Sequence, residues 1–205
     1  YSDIWTVNGN VAATVLVSMT LYGVFMTTAS LATNAALERT SGISRLYATT
    51  PLSPIANTCA RIGASMGIAV VITGITYAVG AATGAKMYAS AWIQTPLLIL
   101  ASSILASAQG LAIAFAVRSD GAFAASSAVT VFSGFLSGMF IPISQMGSFF
   151  QAVAPYAPMY GITSLVQLPL YGWETFKWSY VVNLVAWTLF FILLAAWAQR
   201  RDTSR

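Results

Sequence analysis

Few residues of this sequence could perform catalysis. It has no histidine and one cysteine, Cys59, which excludes a serine hydrolase with a histidine base, a disulfide framework and most zinc sites. A glycine-rich stretch, Gly80-Ala-Ala-Thr-Gly84-Ala, precedes Lys86, but its spacing differs from that of a phosphate-binding loop. Met87 also stands where such a loop needs Ser or Thr. We therefore predict that the chain is not an enzyme and cannot hydrolyse a nucleotide by itself.

Composition points to a lipid environment. Hydrophobic residues make up 58% of the 205 positions and charged residues 7%, whereas soluble domains carry roughly 25% charged residues. The nine basic residues are scattered between apolar runs instead of forming the clustered face that nucleic-acid binding needs. The sequence therefore predicts a membrane protein that does not bind nucleic acid.

Charge-free intervals long enough for about 20 helical residues mark the spans. Four of them predict one helix each, at 11–37, 62–84, 93–117 and 178–199. No Asp, Glu, Lys or Arg lies within a predicted span, which argues against an ion-coupled carrier.

The interval Gly121–Trp173 is too long for one span and contains four prolines, Pro142, Pro155, Pro158 and Pro169. It could hold two complete spans, or one span at 122–141 followed by a re-entrant segment at 142–172.

The second arrangement agrees better with the tendency of Lys and Arg to lie on the cytoplasmic side. It places seven basic residues inside and two, Lys86 and Lys177, outside. Two full spans would place five inside and four outside. We therefore predict an all-α, polytopic membrane helix bundle that forms one domain over 1–205, with five spans and short re-entrant helices before the last span. The first residue lies outside, from which we expect that a preceding span is missing, in preference to a native five-span protein.

Small and polar residues recur within the predicted spans. The pairs Gly63-x-x-x-Gly67 and Gly134-x-x-x-Gly138 permit close helix approach, and packing within one bundle is favoured over a dimer face. Polar residues recur at a spacing of seven on two spans: Thr20, Thr27 and Asn34 on the first, Ser102 and Gln109 on the third. Each set is either a stripe along a transport pathway or a source of ordinary interhelical hydrogen bonds.

The connection between the first two spans has the most distinctive pattern, Glu38-Arg-Thr-Ser-Gly-Ile-Ser-Arg-Leu-Tyr-Ala-Thr-Thr-Pro-Leu-Ser-Pro54. Its residues predict a short amphipathic helix that is capped by Ser41 or Ser44 and ended by Thr50-Pro51. A solvated loop that follows the positive-inside rule is the alternative. The pattern resembles the first cytoplasmic loop of permease subunits in the type-2 ABC exporter (ABC-2) family.

A second stretch, Phe135-Leu-Ser-Gly-Met-Phe-Ile-Pro142, resembles the end of the family's fifth span. Pro155-Tyr-Ala-Pro158 is similar to the short re-entrant helices before its last span. The resemblance covers nearly the whole chain, but the family has six spans, so it implies that the first span is absent here.

The resemblance implies partners and residue roles. It implies a permease that pairs with a second permease copy or homologue and with two ABC ATPase subunits, with ATP and Mg bound on the ATPase and no cofactor in this chain. Residues 38–56 would contain the helix that couples to the ATPase. The implied coupling residues are Glu38, Arg39, Gly42, Ile43, Arg45, Leu46, Tyr47, Thr50, Pro51 and Leu52. The implied pathway residues are Thr20, Thr27, Asn34, Phe132, Phe135 and Met139, and the implied breaks of the re-entrant segment are Pro142, Pro155 and Pro158.

Apolar spans with scattered Thr, Ser and Met favour a hydrophobic or amphipathic cargo. The resemblance suggests a drug, antibiotic or lipid-like molecule, as in multidrug efflux. The Ala-rich, Arg-over-Lys composition is typical of a GC-rich genome and favours a multi-pass bacterial cell-membrane protein in contact with lipid. The alternative is a non-transporting membrane scaffold or binding subunit, which the absence of a neighbouring gene for an ABC protein would favour.

Overall fold

The fold consists almost entirely of helices. The structure, a computed structural model, describes residues 7–40, 54–117 and 119–202. The α-helices in these ranges are α1 (Val11–Thr40), α2 (Pro54–Ala82), α3 (Ala89–Ala116), α4 (Ser119–Leu136), α5 (Ser148–Val153), α6 (Tyr160–Tyr171) and α7 (Trp178–Asp202). Three short 3₁₀ helices lie at Ile143–Gln145, Ala154–Tyr156 and Trp173–Thr175. The predicted all-α bundle is confirmed.

Four helices, α1, α2, α3 and α7, are long and apolar enough to cross a membrane. α4 is apolar but shorter, with 18 residues and a length of about 27 Å. A bilayer core is about 30 Å thick, so α4 reaches across it only together with the residues that follow. The helix itself stops at Leu136, five residues before the end of the predicted span at 122–141.

α3 is the central helix. It packs against α1, α2, α4, α6 and α7, and its apolar window is the most buried of the four long helices. The largest side chains of the core come mainly from α1, α3 and α6: Leu21, Phe25, Ile99, Leu105 and Ile162. α2 and α7 lie at the periphery, so most of their apolar surface is available to lipid.

The closest contact between α1 and α3 is made at Gly110, which the sequence pattern had not indicated. A Cβ atom at Gly110 would overlap the carbonyl oxygen of Ala29 and the Cβ of Ala32. Gly63 and Gly67, by contrast, have nothing within 4 Å of an added Cβ. The prediction that this pair packs within the bundle was wrong for the part of the chain described, because α2 meets its neighbours through other residues, such as Ala69 and Gly80.

Gly138 ends α4 and is not part of a helix crossing. Its φ is +77°, and the N–H groups of Gly138 and Met139 donate to the carbonyls of Phe135 (3.3 Å) and Gly134 (3.3 Å). This is the Schellman arrangement, in which a residue with positive φ closes the helix and satisfies its last carbonyls. Gly134-x-x-x-Gly138 therefore serves the helix end, and not the helix packing that its spacing had predicted.

Short helices replace a long one between α4 and α7, as predicted from the prolines. Pro142 precedes the first 3₁₀ helix, Pro155 lies within the second, and Pro158 lies in the turn before α6. Pro169 differs from the prediction, since α6 continues through it to Tyr171. Because only two helical residues follow Pro169, a bend that the proline introduces displaces little of the helix.

A clamp formed by residues 8–10 joins three connections at one end of the bundle. The Asn8 N–H donates to the carbonyl of Leu170 (2.9 Å), and the Asn10 N–H donates to that of Lys86 (2.9 Å). The Trp173 indole N–H donates to Gln94 Oε1 on the first turns of α3 (3.2 Å). The start of α1, the α2–α3 turn and the end of α6 are thereby held together, and Lys86 and Lys177 lie at this same end.

Candidate functional site

The predicted coupling residues lie at and beyond the end of α1. Glu38 is half-buried in its last turns, and Arg39 is the next residue of the same helix. Gly42, Ile43, Arg45, Leu46, Tyr47, Thr50, Pro51 and Leu52 lie outside the described residues.

α1, which precedes this segment, meets other helices near its end. Ala35 and Ala36 of α1 form a small apolar cluster with Ala114 of α3 and Ala122 of α4. Alanines permit close approach of the three helices. Because α1 is packed along α3 and α4, a displacement of its end would be passed on to both of them.

The three polar residues predicted along α1 differ in their surroundings. Thr20 is buried and its hydroxyl donates to the carbonyl of Leu16 (2.7 Å). Thr27 is half-buried and donates to Gly23 (2.8 Å), and Asn34 is also half-buried. The two hydroxyl protons are thus satisfied by the turn below, which lowers the polarity that these threonines present to their surroundings.

The predicted aromatic pair lies on the exposed side of α4. Phe132 is 69% exposed and Phe135 38%, whereas Met139, just beyond the helix, is buried. α4 packs against α1. Phe132 and Phe135 are exposed whereas Thr20 is buried, so these side chains do not line one surface of the single chain. Phe132 and Phe135 instead form an apolar face that is open to another protein or to lipid.

Two contacts near these residues were not found from the sequence. The rings of Tyr22 on α1 and Phe140 beyond α4 meet edge to face, with centroids 5.2 Å apart. The Gln167 side-chain N–H donates to the hydroxyl of Ser18 across α6 and α1 (3.1 Å). Both pairs are distant in the sequence, so no local spacing could have indicated them.

Gln109, which was singled out on the third span, bonds across helices. Its Nε2 donates to the hydroxyl of Thr130 on α4 (2.8 Å), and Thr130 in turn donates to the carbonyl of Ser126 (2.9 Å). Both side chains are buried, and Gln109 Oε1 has no hydrogen-bond partner within the part of the chain described. This pair therefore acts as interhelical packing between α3 and α4, one of the two alternatives that its spacing left open.

The buried polar side chains that the structure describes are all uncharged, being Asn, Ser, Thr and Gln. In the hydrocarbon region an uncharged group can be satisfied by one or two hydrogen bonds, whereas a charge is far more costly. The interior of the described helices therefore offers apolar and weakly polar surface.

A comparison with known protein families identifies the chain. The family described as "ABC-2 family transporter protein" matches residues 6–197, nearly the full length. The chain belongs to the ABC-2 transporter family.

No curated protein and no solved structure matches the chain. The family match and the apolar helices make this chain a multi-pass membrane protein and the permease component of an ABC transporter. Permeases of the ABC-2 family are transport components that work with an ABC ATPase and are not themselves catalytic.

Proposed function

We propose that this permease forms the export path for a hydrophobic or amphipathic molecule, such as a drug, an antibiotic or a lipid-like compound, in a bacterial plasma membrane. The observation that carries the proposal is the family match over residues 6–197, combined with a described interior whose buried polar groups are all uncharged. ATP and Mg bind on the partner ATPase, and this chain needs no cofactor of its own.

The segment 38–56 couples the permease to the ATPase. Its apolar side chains Ile43, Leu46, Tyr47 and Leu52 dock on that partner, and movement of the docked segment shifts the ends of α1 and α2. Support comes from the packing of α1 along α3 and α4, which lets a rigid displacement of one end reach the rest of the bundle.

The double variant Leu46→Asp/Leu52→Asp tests this coupling. Two charges buried without partners would weaken the docked contact by roughly 3–5 kcal/mol, enough to separate the ATPase from the permease. We expect export by membrane vesicles and transport-stimulated ATP hydrolysis to fall together, while insertion and the basal rate of the isolated ATPase stay unchanged.

The matched control is Ser44→Asp/Thr49→Asp, which adds the same charges at polar positions of the same segment. We expect this control to export at close to the wild-type rate. Wild-type export by the Leu46→Asp/Leu52→Asp variant, with normal assembly of the complex, would show that the segment is only a solvated connector.

The pathway runs between this chain and a second permease copy or homologue, along α1 and α4. The exposed Phe132 and Phe135 on α4 support this position, since an apolar face beside the central helices is available for a partner. A photoreactive phenylalanine analogue in place of Phe132 should then crosslink to the second permease in native membranes.

The same analogue in place of Val185, which is 49% exposed on the peripheral helix α7, is the control and should crosslink mainly to lipid. Equal crosslinking of a permease from both positions, or none from position 132, would contradict the assignment of α4 to the interface.

A further inference from the structure

A cavity of about 250 Å³, open to the surface, lies beside α6. It is formed by α6, the 3₁₀ helix Trp173–Thr175 and the first turn of α7. Its lining consists of Ser164, Gln167, Leu168, Tyr171, Thr175 and Tyr180. Five of these six side chains carry a hydrogen-bonding group and none carries a charge.

Two polar side chains of the lining are held in place by hydrogen bonds to neighbouring groups of the protein. Gln167 Nε2 donates to the Ser18 hydroxyl of α1, and the Thr175 hydroxyl donates to the carbonyl of Gly172 (2.8 Å). The Thr175 oxygen therefore keeps lone pairs that can accept a hydrogen bond. A ligand would find these groups already oriented, which reduces the entropy lost on binding.

Two tyrosines on this side of the bundle reinforce the neutral character of the cavity. The rings of Tyr160 and Tyr180 meet edge to face with centroids 5.7 Å apart. Burial raises the pKa of the Tyr160 phenol, and the neighbouring Tyr180 raises it further. The Tyr160 phenol therefore stays neutral at physiological pH, and no phenolate charge arises beside the lining.

The lining restricts the class of ligand. An anionic phosphate would meet no cation in the lining, whereas basic pockets are what bind anionic headgroups. A purely apolar group would cover the accepting oxygens of the Thr175 hydroxyl and the Gln167 amide without offering them a donor. The volume is below the roughly 300–1,000 Å³ of sites for drug-sized molecules, so a single small unit is what fits.

Two tryptophans beside the cavity indicate its depth in the membrane. Trp173 and Trp178 flank the segment that carries Thr175, and both indoles are exposed. Exposed tryptophans of membrane proteins concentrate at the level of the lipid headgroups. The cavity therefore opens at the depth where the hydroxylated part of a lipid lies.

We infer that this cavity binds one uncharged polyhydroxyl unit, a sugar or a glycerol, carried on a lipid headgroup or free in solution. Its hydroxyl and amide groups bond the ligand's hydroxyls, while Leu168 and the tyrosine rings contact its apolar faces. The inference goes beyond the proposed export function, because binding here requires neither the ATPase nor the coupling segment.

The test uses the full chain in lipid nanodiscs, without the ATPase, and three photoreactive probes. They are a monoglucosyl diacylglycerol and a methyl glucoside, each with a diazirine on the sugar, and a phosphatidic acid with the diazirine near its headgroup. We expect the glycolipid to label residues 160–180, located by mass spectrometry, at least several-fold more than phosphatidic acid. Labelling by the glycolipid alone identifies a lipid-borne ligand, and labelling by methyl glucoside as well identifies a free sugar as sufficient. Equal labelling by phosphatidic acid, or no labelling of this segment, would overturn the inference.

Two variants connect the labelling to the lining. Thr175→Val/Tyr180→Phe removes two lining hydroxyls with little change in shape, and we expect labelling to fall about tenfold or more. Thr188→Val/Tyr156→Phe makes the same changes away from the cavity and should label as wild type. Equal loss in both variants, or none in the first, would show that the lining hydroxyls do not hold the ligand. The Leu46→Asp/Leu52→Asp variant should also label normally, so failure of the coupling proposal and failure of this inference are distinguishable.

Discussion

Individual hydroxyls inside this bundle are satisfied mainly by the helix that carries them. Thr20, Thr33 and Thr95 each donate to the carbonyl four residues earlier, at 2.7 Å. This arrangement needs no partner helix, so such residues are compatible with helices that move relative to one another. Asn10 is different, because its side chain bonds residues from separate parts of the chain.

Within the 8–10 clamp, the Asn10 side chain joins the start of α1 to the α2–α3 turn. It is fully buried; its Nδ2 donates to the carbonyl of Gly84 (2.9 Å), and its Oδ1 accepts from the N–H groups of Ala13 (2.9 Å) and Lys86 (3.0 Å). It thus caps α1 and fixes the α2–α3 turn with one amide.

We predict that Asn10→Ala destabilises the permease by on the order of 3 kcal/mol, because two N–H groups and a carbonyl lose their partners. Unfolding by SDS titration in mixed micelles measures this change. The control, Asn34→Ala, removes a half-buried amide from the same helix and should cost under about 1 kcal/mol. Similar losses in the two variants would mean that the clamp contributes nothing particular to stability.

Among the elements, α4 ends at a position that requires glycine. Gly138 needs its positive φ to close the helix, and an added Cβ would overlap the side chain of Ile143. The turn that follows directs the chain into the first of the short helices. The re-entrant segment therefore begins where this one glycine places it.

Gly138→Ala should destabilise the protein by about 1–2 kcal/mol from backbone strain alone, with a further loss from the overlap with Ile143. Adding Ile143→Ala should recover only the second part, since the strain in φ remains. Gly147→Ala lies in the same region with nothing within 4 Å of an added Cβ, and it should change the unfolding midpoint little. Full recovery in the double variant would show that steric overlap, and not the backbone, sets the requirement for glycine.

For the whole molecule, the two connections that carry Lys86 and Lys177 lie at the same end of the bundle. The clamp brings the start of α1 to Lys86, and Trp173 brings the segment before Lys177 to the start of α3. Both exposed lysines thus lie at one end, as the division of basic residues requires. Which side of the membrane this end faces stays a prediction.

Cysteine labelling tests that sidedness in intact cells. In a Cys59→Ser background, single cysteines at Lys86 and Lys177 should react with a membrane-impermeant thiol reagent, and cysteines at Ser44 and Thr203 should react only after permeabilisation. The last position is the most informative, because labelling of Thr203 from outside would require an additional crossing in the re-entrant segment.

What the sequence by itself determined about this protein follows from local properties. Long charge-free runs predict membrane helices because lipid accepts an apolar helix on every side. The four long helices overlap those runs, and the largest shift of an end is at α2, which begins at Pro54 and not at 62. Proline breaks are likewise local, and Pro142, Pro155 and Pro158 lie at or between the short helices. The family resemblance depended on short motifs in the same way, and the match over residues 6–197 supports it.

Only the tertiary structure decided which of several equivalent residues do the packing. Gly63, Gly110 and Gly138 all lie on apolar stretches, yet one is open, one meets α1 and one ends a helix. The roles of Gly63 and Gly110 depend on which helices lie beside them and not on local spacing. The clamp of residues 8–10 likewise joins segments far apart in the chain. Contacts of this kind exist only once the helices have packed, so no sequence pattern marks them.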